Sequence, residues 1–279
     1  MKTSEDLKQI VKDTYSEIAM QSKEQNTVSC CGVGGCATVD YAVFAENYDA
    51  LKGYNPDADL GLGCGIPTEF ANIKEGDTVV DLGSGAGNDC FVARAITGEK
   101  GKIIGIDMTE AMIDKARENA EKLGFNNVEF RLGDIEKLPM AANRADVVVS
   151  NCVLNLVPDK EKAFAEIFRI VKPGGHISIS DVVLKGELPE AVLKASEMYA
   201  GCVSGALQKD KYLNIIYRSG FEKLKVPKEK AIHIPDEILG TYLTSEQIKD
   251  YRESGRGIYS ITVIAEKPLS DNCCTPGCC

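Results

Sequence analysis

Two sets of residues in this 279-residue chain could do chemistry. The first is a glycine-rich run that follows an apolar segment, Asp81-Leu82-Gly83-Ser84-Gly85-Ala86-Gly87. Such a run lets backbone amides approach an anionic or nucleotide-like ligand. The second is a scatter of single cysteines, whose thiolates select soft partners: Cys36, Cys64, Cys152 and Cys202. Together they indicate an adenosine-containing cofactor presented to something that seeks sulfur.

The glycine run departs from the dinucleotide-binding fingerprint. That fingerprint ends in Gly-x-x-Gly or Gly-x-x-Ala, but Asn88 stands at the last position and Gly87 comes one residue early. Asp81 would place a carboxylate where an ammonium group could pair. Asp107 and Asp134 follow the next two predicted strands, where they could accept from ribose hydroxyls and from an adenine amino group.

Ligands of open α/β sheets bind at the carboxyl ends of the strands, so these side chains should line one crevice. Each aspartate taken alone is better explained as a helix cap or loop residue, whereas the ordered set with the glycine loop favours a cofactor site. Met108 and Ile135 would flank the adenine. The complete predicted cofactor site is Asp81, Gly83, Ser84, Gly85, Gly87, Asp107, Met108, Asp134, Ile135 and Asn151.

Alternating strands and helices must position these residues. Apolar patterns predict strands over 78–82, 102–106, 128–132, 145–150 and 176–183, with helices over 88–96, 110–123 and 160–171 between them. Single-helix crossovers imply parallel neighbours. We therefore expect an α/β fold, a Rossmann-like doubly wound, mostly parallel seven-stranded sheet with an N-terminal helical cap and a small C-terminal α+β extension. Further predictions are helices over 4–22, 41–52, 189–199 and 209–218, a loop over 53–70, and strands near 221–234 and over 257–266.

Composition narrows the class of protein. The net charge of −10 disfavours nucleic acid as a partner. No run approaches the ~20 apolar residues of a membrane span, and the N-terminus lacks an apolar signal core, so we expect a cytoplasmic protein with no membrane partner. Eleven cysteines in a reducing compartment do not indicate a disulfide scaffold. Because His176 and His233 are the only histidines, a soft-ion site must be built from sulfur.

Motifs carry a resemblance at two levels. Over residues 70–183, the glycine loop with its aspartates resembles the S-adenosylmethionine-dependent methyltransferases that have a Rossmann-like sheet. Over roughly residues 10–267, the cysteine motifs resemble those of the arsenite S-adenosylmethionine methyltransferases. These motifs are Gly63-Cys64-Gly65, Asn151-Cys152-Val153-Leu154-Asn155-Leu156 and Gly201-Cys202-Val203-Ser204-Gly205-Ala206-Leu207.

The resemblance implies roles for four cysteines. Cys152 and Cys202 are expected to bind trivalent arsenic, and Cys64 either joins them or pairs with Cys36 in a disulfide as the cycle turns. Sulfur-bound arsenic keeps a lone pair that can attack a sulfonium methyl group, so no general base and no obligatory metal is needed. Methylation oxidises the arsenic, and a disulfide between Cys36 and Cys64 could return the electrons. The expected partners are arsenite, methylated arsenicals made in detoxification, and a thiol reductant of thioredoxin or glutathione type.

These expectations divide the chain into four parts. They are N-terminal helices with a cysteine-bearing cap (1–69), an S-adenosylmethionine-binding core (70–185), a metalloid-binding region with an extension that completes the sheet (186–269), and a flexible cysteine-rich tail (270–279). We expect a monomer. Cys90 is interpreted as a core residue, whereas metalloid capture and a dispensable role stay equally open for the tail cysteines.

Two alternatives stay open. One is a methyltransferase for a small organic molecule, which would need a general base near Asn151 that the sequence does not supply. The other is a non-catalytic metalloid sensor, for which an intact glycine loop would be superfluous. No motif encodes the final methylation state, the selectivity between arsenic and antimony, or a role for Cys30 and Cys31.

Overall fold

A computed structural model describes residues 3–20, 46–193, 203 and 205–269. Its centre is a seven-stranded sheet in the order β3-β2-β1-β4-β5-β7-β6. The strands are β1 (Thr78–Leu82), β2 (Lys102–Asp107), β3 (Val128–Leu132), β4 (Ala145–Asn151), β5 (Val171–Lys185), β6 (Glu222–Ile232) and β7 (Gly257–Glu266). The helices are α1 (Ser4–Ala19), α2 (Pro67–Phe70), α3 (Asn88–Thr97), α4 (Glu110–Lys122), α5 (Lys160–Ile170), α6 (Lys209–Arg218), α7 (Asp236–Leu239) and α8 (Ser245–Glu253).

Strands β1 to β5 are parallel, and β7 pairs antiparallel with both β5 and β6. Val80 of β1 lies opposite Ile104 of β2 and Val148 of β4, and all three are buried. Helices cover both faces, as apolar strands without a polar face require. The Rossmann-like fold expected from the sequence is confirmed, and the carboxyl ends of β1, β2 and β4 meet at one edge.

Strand β5 begins earlier than predicted. The predicted strand covers 176–183, yet β5 starts at Val171 and includes Pro173-Gly174-Gly175. The pairing with β4 shifts here, from Ala145 opposite Val171 to Val147 opposite His176. The Pro-Gly-Gly segment therefore forms an irregularity inside the strand rather than its boundary.

The predicted helix over 41–52 is wrong over 46–52, which contain turns and no helix; residues 41–45 lie outside the described residues. The Asn47 side chain accepts from the Asp49 amide at 2.7 Å, and the Leu51 amide donates to the Tyr48 carbonyl at 2.8 Å. Side-chain bonds of this kind compete with helix formation. Tyr48 is buried beside Ile66 and Val92. A short helix, α2, also interrupts the predicted loop over 53–70.

The C-terminal extension contains two helices that the sequence analysis did not resolve, α7 and α8. A capping box formed by Thr244 and Gln247 begins α8. At the N-terminus, Thr3 caps α1 in the same way with Asp6. None of the helices in the described ranges combines the length and apolar character that a bilayer span requires.

Candidate active site

An open crevice lies at the carboxyl ends of β1, β2 and β4, with α1 as its outer wall. Residues of α1, of the glycine loop and of the strand ends line it together. Nine of the ten predicted cofactor residues line it: Asp81, Gly83, Ser84, Gly85, Asp107, Met108, Asp134, Ile135 and Asn151. The tenth, Gly87, caps α3 and packs against the rings of Phe91 and Phe130.

The glycine loop is fixed by the strand beside it. The amides of Gly83 and Ser84 donate to the Ile106 carbonyl at 2.7 and 3.1 Å. Gly83 has φ +67°, and a Cβ atom there would lie 2.3 Å from Val153 Cγ2. The loop leads into the N-terminus of α3, whose dipole and unpaired amides favour anionic groups. Within the described residues, the buried Ser84 Oγ and Asn88 Oδ1 have no hydrogen-bond partner. These features fit a polar ligand seated on the loop.

Buried carboxylates give the crevice a negative character. Burial, reinforced by Asp89, raises the pKa of Asp81 well above its usual range. Burial also raises the pKa of Asp107, although its two oxygens accept from the amides of Thr109 and Gly85 at 2.9 and 3.0 Å. Because burial disfavours the charged form of these carboxyl groups, a cationic ligand that stabilises that form would be bound favourably here.

The N-terminal helix α1 covers the predicted adenine end of the crevice. Lys8 Nζ donates to Asp134 Oδ2 at 2.7 Å and to Glu136 Oε2 at 2.8 Å, and the second Asp134 oxygen accepts from the Glu136 amide at 2.8 Å. Val11 and Tyr15 of the same helix also line the crevice. Sequence reasoning missed this contribution, because Lys8 and Asp134 are 126 positions apart and no local pattern links them.

Two of the four predicted catalytic cysteines belong to the described residues. Cys152 follows β4, lines the crevice and is 4% exposed; it has φ +61°, and its amide donates to the Ser180 carbonyl at 2.8 Å. Cys64 is 2% exposed, and its carbonyl accepts from Ser260 Oγ at 2.6 Å. Both belong to one buried cluster that also contains Val203.

Cys36 and Cys202 lie outside the described residues, as do Cys30, Cys31 and the tail cysteines. No group of three or more His, Cys, Asp or Glu side chains that could hold a metal ion occurs in the part of the chain that the structure describes. The predicted arsenic ligand set of Cys64, Cys152 and Cys202 thus stays a prediction, with two members placed in one cluster. The predicted core role of Cys90 matches its full burial on α3, where its thiol donates to Asp81 Oδ2 at 3.3 Å.

The comparisons with known proteins agree with this geometry. Residues 73–220 match a family model described as a methyltransferase domain. A phosphoethanolamine N-methyltransferase 2 of Haemonchus contortus, solved with S-adenosylhomocysteine, shares the fold with a TM-score of 0.59 at 19% identity, over 76% of this chain and 55% of that one. The family match identifies a methyltransferase domain, and the solved structure shares its fold.

The particular family follows from closer relatives. An arsenite methyltransferase of Halobacterium salinarum is 38% identical over 285 aligned positions, covering 96% of this chain and 68% of that protein. The crystal structure of an arsenic (III) S-adenosylmethionine methyltransferase from Chlamydomonas reinhardtii matches with a TM-score of 0.62 and 33% identity, over 75% of this chain and 68% of that one. The chain belongs to the arsenite methyltransferase family, which confirms the predicted family, enzyme class and cofactor.

Proposed function

We propose that this chain transfers the methyl group of S-adenosylmethionine to trivalent arsenic held by Cys64, Cys152 and Cys202. The observation that carries the proposal is the position of Cys152, which lines the same crevice as the glycine loop and Asp107. Cys64 lies in the buried cluster with Cys152. Val203, the residue after Cys202, belongs to that cluster too, which supports a third sulfur ligand from this segment.

The predicted cofactor residues have consistent places in this proposal. Asp107 would accept from the ribose hydroxyls, and Met108 and Ile135 would flank the adenine, whose amino group would reach Asp134. Asp81 would pair with the ammonium group at the other end, near β4. This direction brings the transferable methyl group toward Asn151 and Cys152, which end and follow β4.

Thiolate ligands suit trivalent arsenic because both are soft. Bound S-adenosylmethionine supplies an electrophilic methyl group, whose bond to sulfur breaks as the arsenic lone pair forms an arsenic–carbon bond and S-adenosylhomocysteine leaves. The nucleophile loses no proton, so the chain's task is alignment. Holding two reactants in attack geometry can supply roughly 7–11 kcal/mol of the barrier.

Methylation leaves the arsenic formally pentavalent, and two electrons must restore the trivalent state. We propose that Cys36 and Cys64 supply them by forming a disulfide, which a thiol reductant of thioredoxin or glutathione type then reduces. The four-part division of the chain, the monomeric state and the cytoplasmic location likewise stay predictions.

One assay tests the transfer itself. The full chain is incubated with S-adenosylmethionine, arsenite and a dithiol, and the arsenic species are separated by chromatography. We expect mono- and dimethylated arsenicals, with one S-adenosylhomocysteine released per methyl group. Binding of S-adenosylmethionine with no methylated arsenic would favour a sensor and overturn the proposal.

Replacing Cys36 with serine tests the redox step. We expect a normal first turnover followed by a stall after a few turnovers, because the pair that returns the electrons is lost. Rapid-quench measurement of product per enzyme separates the two phases. Cys90→Ser serves as the control, since it removes a buried cysteine outside the proposed cycle. Sustained turnover by Cys36→Ser, at the rate of the control, would contradict the assignment.

A further inference from the structure

The hydroxyl of Tyr48 lies inside a polar cluster that joins four separate segments. Tyr48 is 4% exposed, and its Oη atom lies 3.0 Å from the Gly65 carbonyl oxygen and 3.0 and 3.2 Å from the two Asp89 carboxylate oxygens. Asn151 Nδ2 donates to the same hydroxyl at 2.9 Å. We call these four residues, Tyr48, Gly65, Asp89 and Asn151, the Tyr48 cluster.

Asn151 connects this cluster to the thiols. Its Oδ1 atom accepts from the Cys64 amide at 3.1 Å, and its Nδ2 atom lies 2.8 Å from the Gly65 carbonyl oxygen. One side chain at the end of β4 therefore holds the Cys64 loop on both sides of the cysteine. Because Cys152 is the next residue along the chain, Asn151 links the position of Cys64 to the position of Cys152.

The loop can lie this close to Asn151 because glycines flank Cys64. A Cβ atom at Gly63 would lie 2.6 Å from Asn151 Nδ2, and one at Gly65 would lie 2.6 Å from Ser180 Oγ. The two glycines thus permit the close approach of the loop to Asn151. The hydrogen bonds that hold the loop depend on which way the Asn151 amide faces.

Tyr48 and Asp89 determine that orientation. The two Asp89 oxygens lie 3.0 and 3.2 Å from the Tyr48 hydroxyl, and burial raises the pKa of Asp89 to about 6. Asn151 Nδ2 lies 3.1 Å from Asp89 Oδ2. If the amide were reversed, its oxygen would face this carboxylate and the Gly65 carbonyl, and its NH2 group would face the Cys64 amide. An acceptor would then face acceptors at one end of the amide, and a donor would face a donor at the other.

The hydrogens and acceptors of the cluster also match in number. The Tyr48 hydroxyl provides one hydrogen and the Asn151 amide two. The Asp89 carboxylate, the Gly65 carbonyl and the Tyr48 oxygen accept them. Removing the hydroxyl deletes one donor and one acceptor from a buried network, which leaves the Asn151 amide less firmly oriented.

We propose that Tyr48 is a positioning residue for the reaction: its hydroxyl, together with Asp89, fixes the amide of Asn151 so that Cys64 is held beside Cys152 at the methyl-donor end of the crevice. This inference rests on the proposed function. It assigns Tyr48 an effect on arsenic binding and methyl transfer, while the glycine loop and Asp107 continue to hold the cofactor.

The test compares Tyr48→Phe with Tyr54→Phe. Tyr54 is a matched control, because its hydroxyl donates to Asp59 Oδ2 at 3.1 Å and the substitution again removes one tyrosine–aspartate hydrogen bond. For Tyr48→Phe we expect single-turnover methylation to slow roughly 10- to 100-fold, as misplacement of reacting groups does. Arsenite affinity, measured by calorimetry, should weaken by a larger factor than S-adenosylmethionine affinity, because nine of the ten predicted cofactor residues lie outside the Tyr48 cluster. Tyr54→Phe should resemble the parent chain in all three.

Asp89→Asn is a second variant, in case Tyr48→Phe does not fold. It keeps the shape of the side chain but replaces one of the two acceptor oxygens with an NH2 group and removes the negative charge, so the orientation of Tyr48 and Asn151 weakens and we expect a loss of methylation rate in the same direction. Unchanged arsenite affinity and rate in a folded Tyr48→Phe chain, or equal losses in Tyr54→Phe, would overturn the inference. Absence of methylated arsenic from the parent chain would instead overturn the proposed function.

Discussion

Replacing Cys152 with serine is expected to abolish methyl transfer to arsenite while S-adenosylmethionine binding is retained. Serine exchanges a soft sulfur ligand for a hard oxygen in nearly the same volume, so arsenic loses a ligand and the crevice keeps its shape. The backbone bond from residue 152 to the Ser180 carbonyl does not depend on the side chain. We expect a loss of at least ~1000-fold in rate, or about 4 kcal/mol. Product chromatography measures the rate, and calorimetry measures cofactor affinity.

Cys90→Ser is the control for this substitution. Cys90 is as fully buried as Cys152 and lies on α3, where a serine hydroxyl could keep the bond to Asp81. It should methylate arsenite at close to the parent rate. Methylation by Cys152→Ser at a comparable rate would show that this thiol is not an arsenic ligand, whatever the family resemblance.

The parts of the fold that local pattern determines were predicted closely. Strands β1 and β3 have the predicted bounds, 78–82 and 128–132. The apolar content of parallel strands is high because both faces are covered. The helix predicted over 41–52 is wrong over 46–52, where the Tyr48 hydroxyl lies 3.0 Å from the Gly65 carbonyl oxygen. An apolar pattern along the sequence does not reveal such a contact between distant segments.

The residues of the site likewise include some that the sequence predicts and some that it does not. The glycine loop and the strand-end aspartates could be predicted because the topology of a parallel sheet brings successive strand ends to one edge. Lys8, Tyr48 and Asp89 could not, because their partners are distant in the chain. Tyr48 and Asn151 are 103 positions apart, and Asp89 and Asn151 are 62 apart. Such contacts depend on the packing of loops against the finished sheet.

Replacing Gly83 with alanine is expected to weaken S-adenosylmethionine binding by at least ~100-fold, or about 2.7 kcal/mol. Two effects add. An alanine at φ +67° carries roughly 1–2 kcal/mol of backbone strain, and its Cβ atom would lie 2.3 Å from Val153 Cγ2. Val153 follows Cys152 directly, so relief of the clash must move either the glycine loop or the segment that carries the thiol. Calorimetry with S-adenosylmethionine and with S-adenosylhomocysteine measures the loss.

Gly124→Ala distinguishes the steric clash with Val153 from the backbone strain of an alanine at positive φ. Gly124 has the same φ of +67°, yet a Cβ atom there would meet nothing within 4 Å, and it lies just beyond α4, away from the crevice. It should lower the melting temperature slightly and leave cofactor affinity within about twofold. If Gly83→Ala loses no more affinity than Gly124→Ala, the expected clash with Val153 does not disturb the binding conformation of the loop. A loss confined to Gly83→Ala means that the cofactor loop and the Cys152 segment hold each other in place.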